Sequence, residues 1–121
     1  MTQNGKRIAF VAGGSGAIGA DICRALVADG FAVAIGYCTQ RERAEELADR
    51  VSDAGGTGIA VRCDITEYAS VLQAKEEVQN RIGNVETLVN CAGTEAYRLL
   101  CDETEKSIAH TIAANLTGNI F

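Results

Sequence analysis

The hydrophobic positions of this chain alternate between short continuous runs and longer stretches in which apolar residues recur every three or four positions. Continuous apolar runs are typical of strands that are covered on both faces. They predict strands over Arg7–Ala12, Phe31–Gly36, Gly58–Arg62 and Glu86–Cys91. The amphipathic stretches predict helices over about Ala17–Asp29, Thr39–Ala54, Glu67–Ile82 and Asp102–Asn115.

Strands that alternate with helices indicate a parallel sheet, because each helix carries the chain back to the same end of the next strand. The βαβαβαβα order therefore predicts an α/β fold, a doubly wound, Rossmann-type parallel sheet of about four strands with helices on both faces. A chain of 121 residues is long enough for one such domain, which we place over residues 1–121. In a sheet of this kind the ligand binds beyond the carboxyl ends of the strands.

The helices also carry capping and packing patterns. The sequence Thr-Gln-Arg-Glu at 39–42 is typical of a capping box at the start of the second helix. Asp102 and Glu105 form a comparable pair at the start of the last helix. The periodicity places three isoleucines on inward faces, Ile18, Ile108 and Ile112.

Composition excludes several classes of protein. The chain has 11 Lys and Arg against 16 Asp and Glu, a net charge of −5, which argues against broad binding to nucleic acid or to an anionic membrane surface. No apolar run approaches the ~20 residues that span a bilayer, and the polar start MTQNGKR has no signal-peptide core behind it. The five cysteines form an odd set without C-x-x-C spacing, which favours free thiols in a reducing cytoplasm over a zinc site.

The segment IAFVAGGSGAIG, residues 8–19, joins an apolar run to a glycine-rich turn that opens onto a helix. Gly14, Gly16 and Gly19 match G-x-G-x-x-G, a pattern that binds the pyrophosphate of a dinucleotide. Glycines let the backbone approach the phosphates, and the helix N-terminus offers unpaired N–H groups and a partial positive charge. By itself the match is weak evidence, because small glycine clusters also occur in ordinary turns between a strand and a helix.

Four motifs carry a wider resemblance. They are AGGSGAIG at 12–19, CDIT at 63–66, NCAG at 90–93 and NLTG at 115–118. In order, spacing and placement they resemble the motifs of the short-chain dehydrogenase/reductases: T-G-x-x-x-G-x-G, Asp after the third strand, N-N-A-G after the fourth, and Asn in the following helix. The resemblance covers essentially the whole chain and is strongest to the 3-oxoacyl-[acyl-carrier-protein] reductase branch.

This resemblance implies a role for each motif. Residues of the glycine turn would line the pyrophosphate and the adjoining ribose, namely Gly13, Ser15, Gly16, Ile18 and Gly19. Asp64 would accept a hydrogen bond from the adenine amino group, with Ile65 beside the ring. The residues along the nicotinamide ribose would be Asn90, Ala92 and Gly93. Asn115 resembles the Asn of the catalytic tetrad, which kinks its helix and holds a proton-relay water.

Three positions depart from the family pattern. Ala12 stands where Thr is usual, which removes a hydroxyl that ties down the turn, and Ala17 replaces the second motif glycine next to Gly16. Cys91 replaces the second Asn of N-N-A-G, and is either a small buried residue or, if exposed near the nicotinamide, a reactive thiol. We interpret all three as variants that retain the site.

The segment after the second strand bears on the choice of cofactor. NAD-binding units usually place a carboxylate there, which bonds the ribose 2′-hydroxyl and repels a 2′-phosphate. Residues 36–40 contain no acid and Arg41 follows them, which favours NADP over NAD. Arg41 is the expected phosphate partner and Arg43 the reserve, since Arg makes bidentate contacts to phosphate. The alternative is that Arg41 is a solvated residue of the first helical turn.

The groups that catalyse hydride transfer are incomplete in this sequence. The family uses a Ser and a Tyr-x-x-x-Lys placed after the Asn, whereas Tyr37, Tyr68 and Tyr97 have no Lys four positions later. Asn115 is therefore the one catalytic residue we expect here, and we expect the chain to be the N-terminal portion of a reductase. Its fourth strand would then form an unpaired apolar edge, and His110 is expected to be a surface residue of the last helix.

Three functions remain open at this point. The first is an NADP-dependent cytoplasmic reductase, a homo-oligomer by family habit, that acts on a 3-oxoacyl thioester or related ketone, either small or linked to acyl carrier protein. The second is a non-catalytic nucleotide-binding module that pairs with a partner chain. The third is an S-adenosylmethionine methyltransferase, which would want an acidic residue at the end of the second strand, where the chain has none.

Overall fold

The computed structural model describes residues 5–93 and 98–121. Within them, four strands form one parallel sheet in the order β3-β2-β1-β4. The strands are β1 (Ile8–Ala12), β2 (Ala32–Tyr37), β3 (Gly58–Arg62) and β4 (Thr87–Asn90). Residues 1–4 of the polar start, and Tyr97, lie outside the described part of the chain.

The helices lie between the strands as the periodicity predicts. They are α1 (Ala17–Ala28), α2 (Arg41–Asp53), α3 (Tyr68–Arg81) and α4 (Glu105–Asn115). Short 3₁₀ turns over Leu100–Asp102 and Thr117–Asn119 precede and follow α4. The predicted βαβαβαβα order and α/β class are confirmed, with boundaries that differ by a few residues. No helix in the described residues is long and apolar enough to cross a membrane.

The strand order sets where a ligand can bind. From β1 the chain moves outward to β2 and β3 on one side, then returns to place β4 on the other side of β1. The register pairs Val11 with Ile35 on one flank and Ala12 with Asn90 on the other. The connections leaving β1 and β4 therefore diverge at the carboxyl edge of the sheet, and this switch point leaves a crevice.

Both faces of the sheet are covered, which explains the continuous apolar strands. Val11 and Ile35 point to one face and pack with Cys23 of α1 and residues of α2. Phe10, the neighbour of Val11 in β1, points to the opposite face and packs with Val78 of α3. Successive strand residues alternate between two apolar layers, so each residue of β1 and β2 is buried.

Both capping predictions are wrong. The N-cap of α2 is Gln40, and no side chain caps that helix end, so Thr39 has no such role. The capping box of α4 lies two residues later than expected: the Ser107 N–H donates to Thr104 Oγ1 (3.0 Å), and the Thr104 N–H donates to Ser107 Oγ (2.8 Å). Asp102 instead belongs to the 3₁₀ turn, which delays the start of α4.

The inward positions predicted for three isoleucines are also wrong. Ile18 is 74% exposed, Ile108 46% and Ile112 49%. The buried residues of α1 are Gly19 and Cys23, so its inner face is rotated away from Ile18. In α4, which is described in full, Ala114 is the buried residue. The helical period was predicted correctly. Which side of a helix packs on the sheet depends on how the helix is oriented against it, and the period does not contain that information.

The two edges of the described sheet differ in character. At β3, Arg81 Nη1 lies 3.4 Å from the Ala60 carbonyl oxygen and also pairs with Glu77 at 2.8 Å, so a charged side chain reaches the edge backbone. At β4, Leu88 is 66% exposed beside an apolar groove of about 240 Å³ that Phe10 and other residues line. Charged residues discourage pairing at the first edge, whereas the second edge is apolar.

Candidate dinucleotide-binding site

The glycine turn is held against the sheet by its own backbone. After β1, Gly13 adopts a φ of +72°, a left-handed conformation that favours glycine. The Gly14 N–H donates to the carbonyl oxygens of Val11 (3.1 Å) and Gly36 (3.0 Å), which ties the turn to the ends of β1 and β2. The turn is therefore a fixed part of the carboxyl edge of the sheet.

Two of its glycines are required by close packing. A Cβ at Gly13 would lie 2.8 Å from the amide nitrogen of Ala92 and from the carbonyl carbon and oxygen of Cys91. A Cβ at Gly19 would collide with the Gly13 carbonyl oxygen and approach Gly14 Cα at 2.7 Å. The turn thus contacts the segment after β4 and packs on the first turn of α1, with no room for side chains at these positions.

The start of α1 provides donors for an anion. Gly16 is the N-cap (φ −73°, ψ 172°), and the first helical hydrogen bond runs from the Ala20 N–H to the Gly16 carbonyl at 2.8 Å. The N–H groups of residues 17–19 precede the first full turn and so have no carbonyl acceptor within the helix. Residues 17–20 include no acid to compete for them. This cradle of glycine, free donors and positive helix dipole fits a pyrophosphate.

Asp64 is fixed at the end of β3. Its Oδ1 accepts hydrogen bonds from the Thr66 hydroxyl (2.6 Å) and the Thr66 N–H (2.9 Å), and its own N–H donates to Ser70 Oγ (2.8 Å). The bond from the Thr66 hydroxyl is the main reason that the pKa of Asp64 lies below its ordinary value. The carboxylate is therefore ionised at neutral pH and held in one orientation, in which it can accept hydrogen bonds.

The end of α4 closes the site against two of the loops. A Cβ at Gly93 would lie 2.7 Å from Asn115 Oδ1, so the Asn115 side chain lies beside the segment after β4. A Cβ at Gly118 would lie 2.5 Å from the Ile65 carbonyl oxygen, so the residues after α4 pack on the loop after β3. Asn119 Nδ2 also donates to the Asn115 carbonyl at 2.8 Å, which stabilises this helix end.

An open cleft of about 460 Å³ runs along the carboxyl edge of the sheet and collects most of the predicted residues. Those that line it are Gly13, Ser15, Gly16, Asp64, Ile65, Ala92 and Gly93. They come from the connections after β1, β3 and β4, which are far apart in sequence. The parallel sheet brings them together because it gathers the carboxyl ends of its strands at one edge.

The other predicted residues lie around the cleft rather than in its lining. Ile18 and Gly19 belong to the first turn of α1, and Asn115 lies against Gly93. Asn90 lines the apolar groove beside β4. Arg41 pairs with Glu45 at 2.9 Å and lines a separate polar groove, so its guanidinium is directed away from the cleft.

The cleft is also lined by residues to which the sequence assigned a reserve role or none. Arg43, the reserve cation, lines the cleft together with Cys38 and the two residues that follow it. Their position directly after β2 was the available signal. Burial raises the pKa of Cys63, which also lines the cleft, to about 11, and it raises the pKa of Cys38 as well. His110 of α4, to which no motif pointed, lines the cleft too, and it is exposed, as expected for a surface residue of the last helix.

Comparison with known proteins agrees with this geometry. A family model described as short chain dehydrogenase matches residues 7–121. An acetoacetyl-CoA reductase from Cupriavidus necator is 37% identical over 118 residues, which are 98% of this chain and 47% of that protein. A 3-oxoacyl-[acyl-carrier-protein] reductase from Staphylococcus epidermidis is 30% identical over 110 residues, which are 91% of this chain and 45% of that protein.

Solved structures show the same fold. A dehydrogenase/reductase from Sinorhizobium meliloti has a TM-score of 0.89 at 34% identity, over 98% of this chain and 47% of that one. A blue fluorescent protein from a metagenomic library, in complex with NADPH, has a TM-score of 0.87 at 34% identity, over 99% of this chain and 49% of that one. The chain therefore spans about half the length of the relatives it matches.

The fold is a Rossmann-type α/β domain, shared with these solved structures. The chain belongs to the short-chain dehydrogenase family, because the family model matches 115 of its 121 residues, 7 through 121. The resemblance seen in the four sequence motifs is thereby confirmed. This result favours the reductase over the methyltransferase alternative.

Proposed function

We propose that residues 1–121 form the cofactor-binding domain of an NADP-dependent reductase that transfers hydride between the cofactor and the carbonyl of a 3-oxoacyl thioester or related ketone. The observation that carries this proposal is the cleft, in which the glycine turn, Asp64 and the segment after β4 meet. Relatives named acetoacetyl-CoA reductase and 3-oxoacyl-[acyl-carrier-protein] reductase support the substrate class.

The pyrophosphate is proposed to bind over Gly13, Ser15 and Gly16, at the N-terminus of α1. Gly19 keeps the turn compact, and Ile18, which is 74% exposed, offers an apolar surface to the adjoining ribose. When the cofactor is bound, its nicotinamide ring supplies the hydride. The chain contributes binding and orientation, since backbone donors hold the phosphates without a competing side chain.

The adenosine end is proposed to lie between Asp64, Ile65 and the residues after β2. The fixed Asp64 carboxylate accepts a hydrogen bond from the adenine amino group. Arg43 lines this cleft and is the available partner for a 2′-phosphate, while Arg41 joins it only by giving up Glu45. With no acid in residues 36–40 to repel that phosphate, the site favours NADP.

The nicotinamide end is proposed to lie along Ala92 and Gly93, with Asn90 supporting the end of β4. Asn115 is the catalytic residue proposed within this chain. Its carboxamide lies beside Gly93. Its proposed role is to hold a water that relays a proton to the reacting carbonyl. The general acid of the reaction is proposed to lie in sequence beyond this domain, since no Tyr of the chain is followed by Lys four positions later.

The protein is proposed to act in the cytoplasm as a homo-oligomer, on small or acyl-carrier-protein-linked substrates in fatty acid biosynthesis. The net charge of −5 supports the exclusion of nucleic acid and anionic membranes as partners.

Cofactor titration tests the proposal directly. Dissociation constants for NADPH and NADH are measured by nucleotide fluorescence for the wild type, Arg43→Gln and Arg50→Gln. Arg50 is the matched control, since it lies on the same helix, is exposed and pairs with Glu46 away from the cleft. We expect Arg43→Gln to weaken NADPH binding about tenfold, because one charge-assisted hydrogen bond to the 2′-phosphate is lost. The dissociation constant of NADH, which has no 2′-phosphate, should not change.

Three results would contradict this assignment. Equal weakening of both nucleotides by Arg43→Gln would show that the residue does not contact the 2′-phosphate. If the folded protein bound neither NADPH nor NADH, the proposed dinucleotide site would be wrong. An equal effect of Arg50→Gln would attribute the change to overall charge.

A second candidate, a nucleotide-binding module that works with another polypeptide, is favoured by the exposed apolar edge at β4. Leu88 and Phe121, which is 46% exposed, present an apolar surface that a further strand and helix would cover. Under this hypothesis residues 1–121 bind NADPH but oxidise it with acetoacetyl-CoA only when a second polypeptide is added. Turnover by residues 1–121 alone would contradict it.

A further inference from the structure

Ser70 is a buried polar residue in the first turn of α3. Within the described residues, the polar side chains that are buried are those of Ser15 and Ser70, and Ser70 is 6% exposed. A hydroxyl group that is out of contact with water needs a hydrogen-bonding partner inside the protein. Ser70 Oγ has one in the N–H of Asp64, which donates to it at 2.8 Å. The burial of Ser70 is therefore tied to the position of Asp64.

This hydrogen bond fixes the chain at the point where it leaves the sheet. The Cys63 N–H donates to the Tyr37 carbonyl oxygen at 2.7 Å, which extends the pairing of β3 with β2 by one residue. The next N–H along the chain is that of Asp64, and it donates to the side chain on α3 instead of to a strand. Helix α3 is itself held against the sheet by buried residues such as Ala74. The backbone of Asp64 is thus anchored to a helix that packs on the core.

The side chain of Asp64 is held separately, by Thr66. The hydroxyl and the N–H of Thr66 donate to the same carboxylate oxygen, Oδ1, at 2.6 and 2.9 Å. Two bonds to one oxygen hold the carboxylate in one rotamer, but they do not fix the backbone that carries it. Thr66 lies only two residues further along the same loop and would move together with Asp64. Ser70 ties Asp64 directly to the helix.

Asp64 lines the cleft and Ser70 does not, so Ser70 acts on a ligand in the cleft only through Asp64. We propose that Ser70 is a positioning residue, which holds the Asp64 carboxylate opposite the 6-amino group of adenine. In that position the carboxylate accepts a hydrogen bond from adenine and repels the 6-oxo group of hypoxanthine. The inference rests on the proposed function, in which Asp64 meets the adenine ring. It adds a source of selectivity for the base and a residue of α3, a helix to which the four motifs assign no role.

The selectivity follows from which groups can donate a hydrogen bond. An ionised carboxylate only accepts, so it pairs with an amino group and repels a carbonyl oxygen. Hypoxanthine does carry an N–H, at the ring position beside its carbonyl group. A carboxylate that is free to move could reach that N–H and bind hypoxanthine as well, whereas a fixed carboxylate cannot. One hydrogen bond to a charged group corresponds to about tenfold in affinity, which sets the expected discrimination.

Calorimetry tests this inference by comparing NADP⁺ with its hypoxanthine analogue, which differs from it at the base alone. The quantity measured is the discrimination ratio, the dissociation constant of the analogue divided by that of NADP⁺. We expect a ratio of about ten in the wild type and about three or less in Ser70→Ala. Ser70→Cys, in which a weaker acceptor fills nearly the same volume, should lie between them. It also provides a second variant if Ser70→Ala does not fold.

Two controls separate positioning from a loss of stability. Ala74→Gly weakens the same helix, because glycine is a poor helix former, and Ala74 does not line the cleft. Its ratio should equal that of the wild type, although urea unfolding should show that Ala74→Gly and Ser70→Ala are both less stable. Asp64→Asn should have a ratio of about one, since an amide donates as well as accepts. Adding Ser70→Ala to Asp64→Asn should not change that ratio further, because Ser70 acts through Asp64.

An unchanged ratio in Ser70→Ala and Ser70→Cys would overturn the inference, and so would an equal loss of discrimination in Ala74→Gly. A further change of the ratio in the double variant would also overturn it, since Ser70 would then act by a route other than Asp64. In each of these cases the wild type still binds NADP⁺, so the proposed function stands. If the wild type bound both dinucleotides equally well, the assignment of Asp64 to adenine would be wrong, and this inference with it. If it bound neither, the proposed cofactor site itself would be wrong.

Discussion

Replacing Gly13 with Ala tests whether the glycine turn is wedged against the segment after β4. The residue has a φ of +72°, and an added Cβ would lie 2.8 Å from the Ala92 nitrogen and the Cys91 carbonyl group. Both obstacles are backbone atoms, which cannot rotate away as a flexible side chain would. The turn or the end of β4 must therefore move, and the cleft between them must change shape.

The cost has two parts that can be separated. A non-glycine residue in the left-handed region costs about 1–2 kcal/mol, and an overpacked contact adds about 1–3 kcal/mol. Gly30 is the matched control, since its φ is +90° but no atom lies within 4 Å of its Cβ position. Gly30→Ala should therefore lose only the first part, about 1–2 kcal/mol, and Gly13→Ala the sum, about 2–5 kcal/mol.

Urea unfolding followed by circular dichroism measures both values, and NADPH titration reports the effect on the cleft. We expect Gly13→Ala to lower the free energy of unfolding more than Gly30→Ala, and it alone to weaken NADPH binding. Equal losses of stability in the two variants would show that Gly13 does not contact Cys91 and Ala92. Unchanged NADPH affinity in Gly13→Ala would show that the turn does not shape the cofactor site.

Three further predictions concern the apolar edge at β4, the buried thiol of Cys63 and the carboxylate of Asp64. Leu88→Lys should reduce self-association of the polypeptide of residues 1–121, measured by analytical ultracentrifugation, because it places a charge on the apolar β4 edge. Since burial raises the pKa of Cys63 to about 11, iodoacetamide at pH 8 should modify the exposed Cys101 well before Cys63, as peptide mass spectrometry would show. The lowered pKa of Asp64 stabilises the fold above pH ~4, its unfolded value, and this stability is lost as the pH falls through the folded pKa. Thr66→Val should therefore reduce the difference in unfolding free energy between pH 7 and pH 2.5 by about 1 kcal/mol, and an unchanged difference would contradict the assigned cause.

The sequence predicted that both faces of each strand are buried, because this property depends only on a few consecutive residues. A run such as Ile8–Ala12, apolar at each position, has no polar face to give to water, so it must be covered on both sides. The glycine turn is local in the same sense, since Gly13, Gly16 and Gly19 shape a few consecutive residues. Family, fold class and element order all followed from such patterns.

Errors arose where one local pattern allowed several tertiary arrangements. Ile108 and Ile112 recur with helical period, yet the period does not say which side of α4 meets the sheet, and both are about half exposed. Asp102 and Thr104 are both acceptable N-caps by residue type. The 3₁₀ turn over Leu100–Asp102 decides between them, because it shifts the start of the helix.

The residues of the site show the same division. By itself the sequence determined which chemistry is available: a glycine turn for phosphates, Asp64 after the third strand, and no acid after the second. Only the tertiary structure decided that Arg43 lines the cleft while Arg41 pairs with Glu45, and that His110 faces the same space. The physical reason is that strand ends are brought together by the sheet, whereas the direction of a helical side chain depends on how its helix packs.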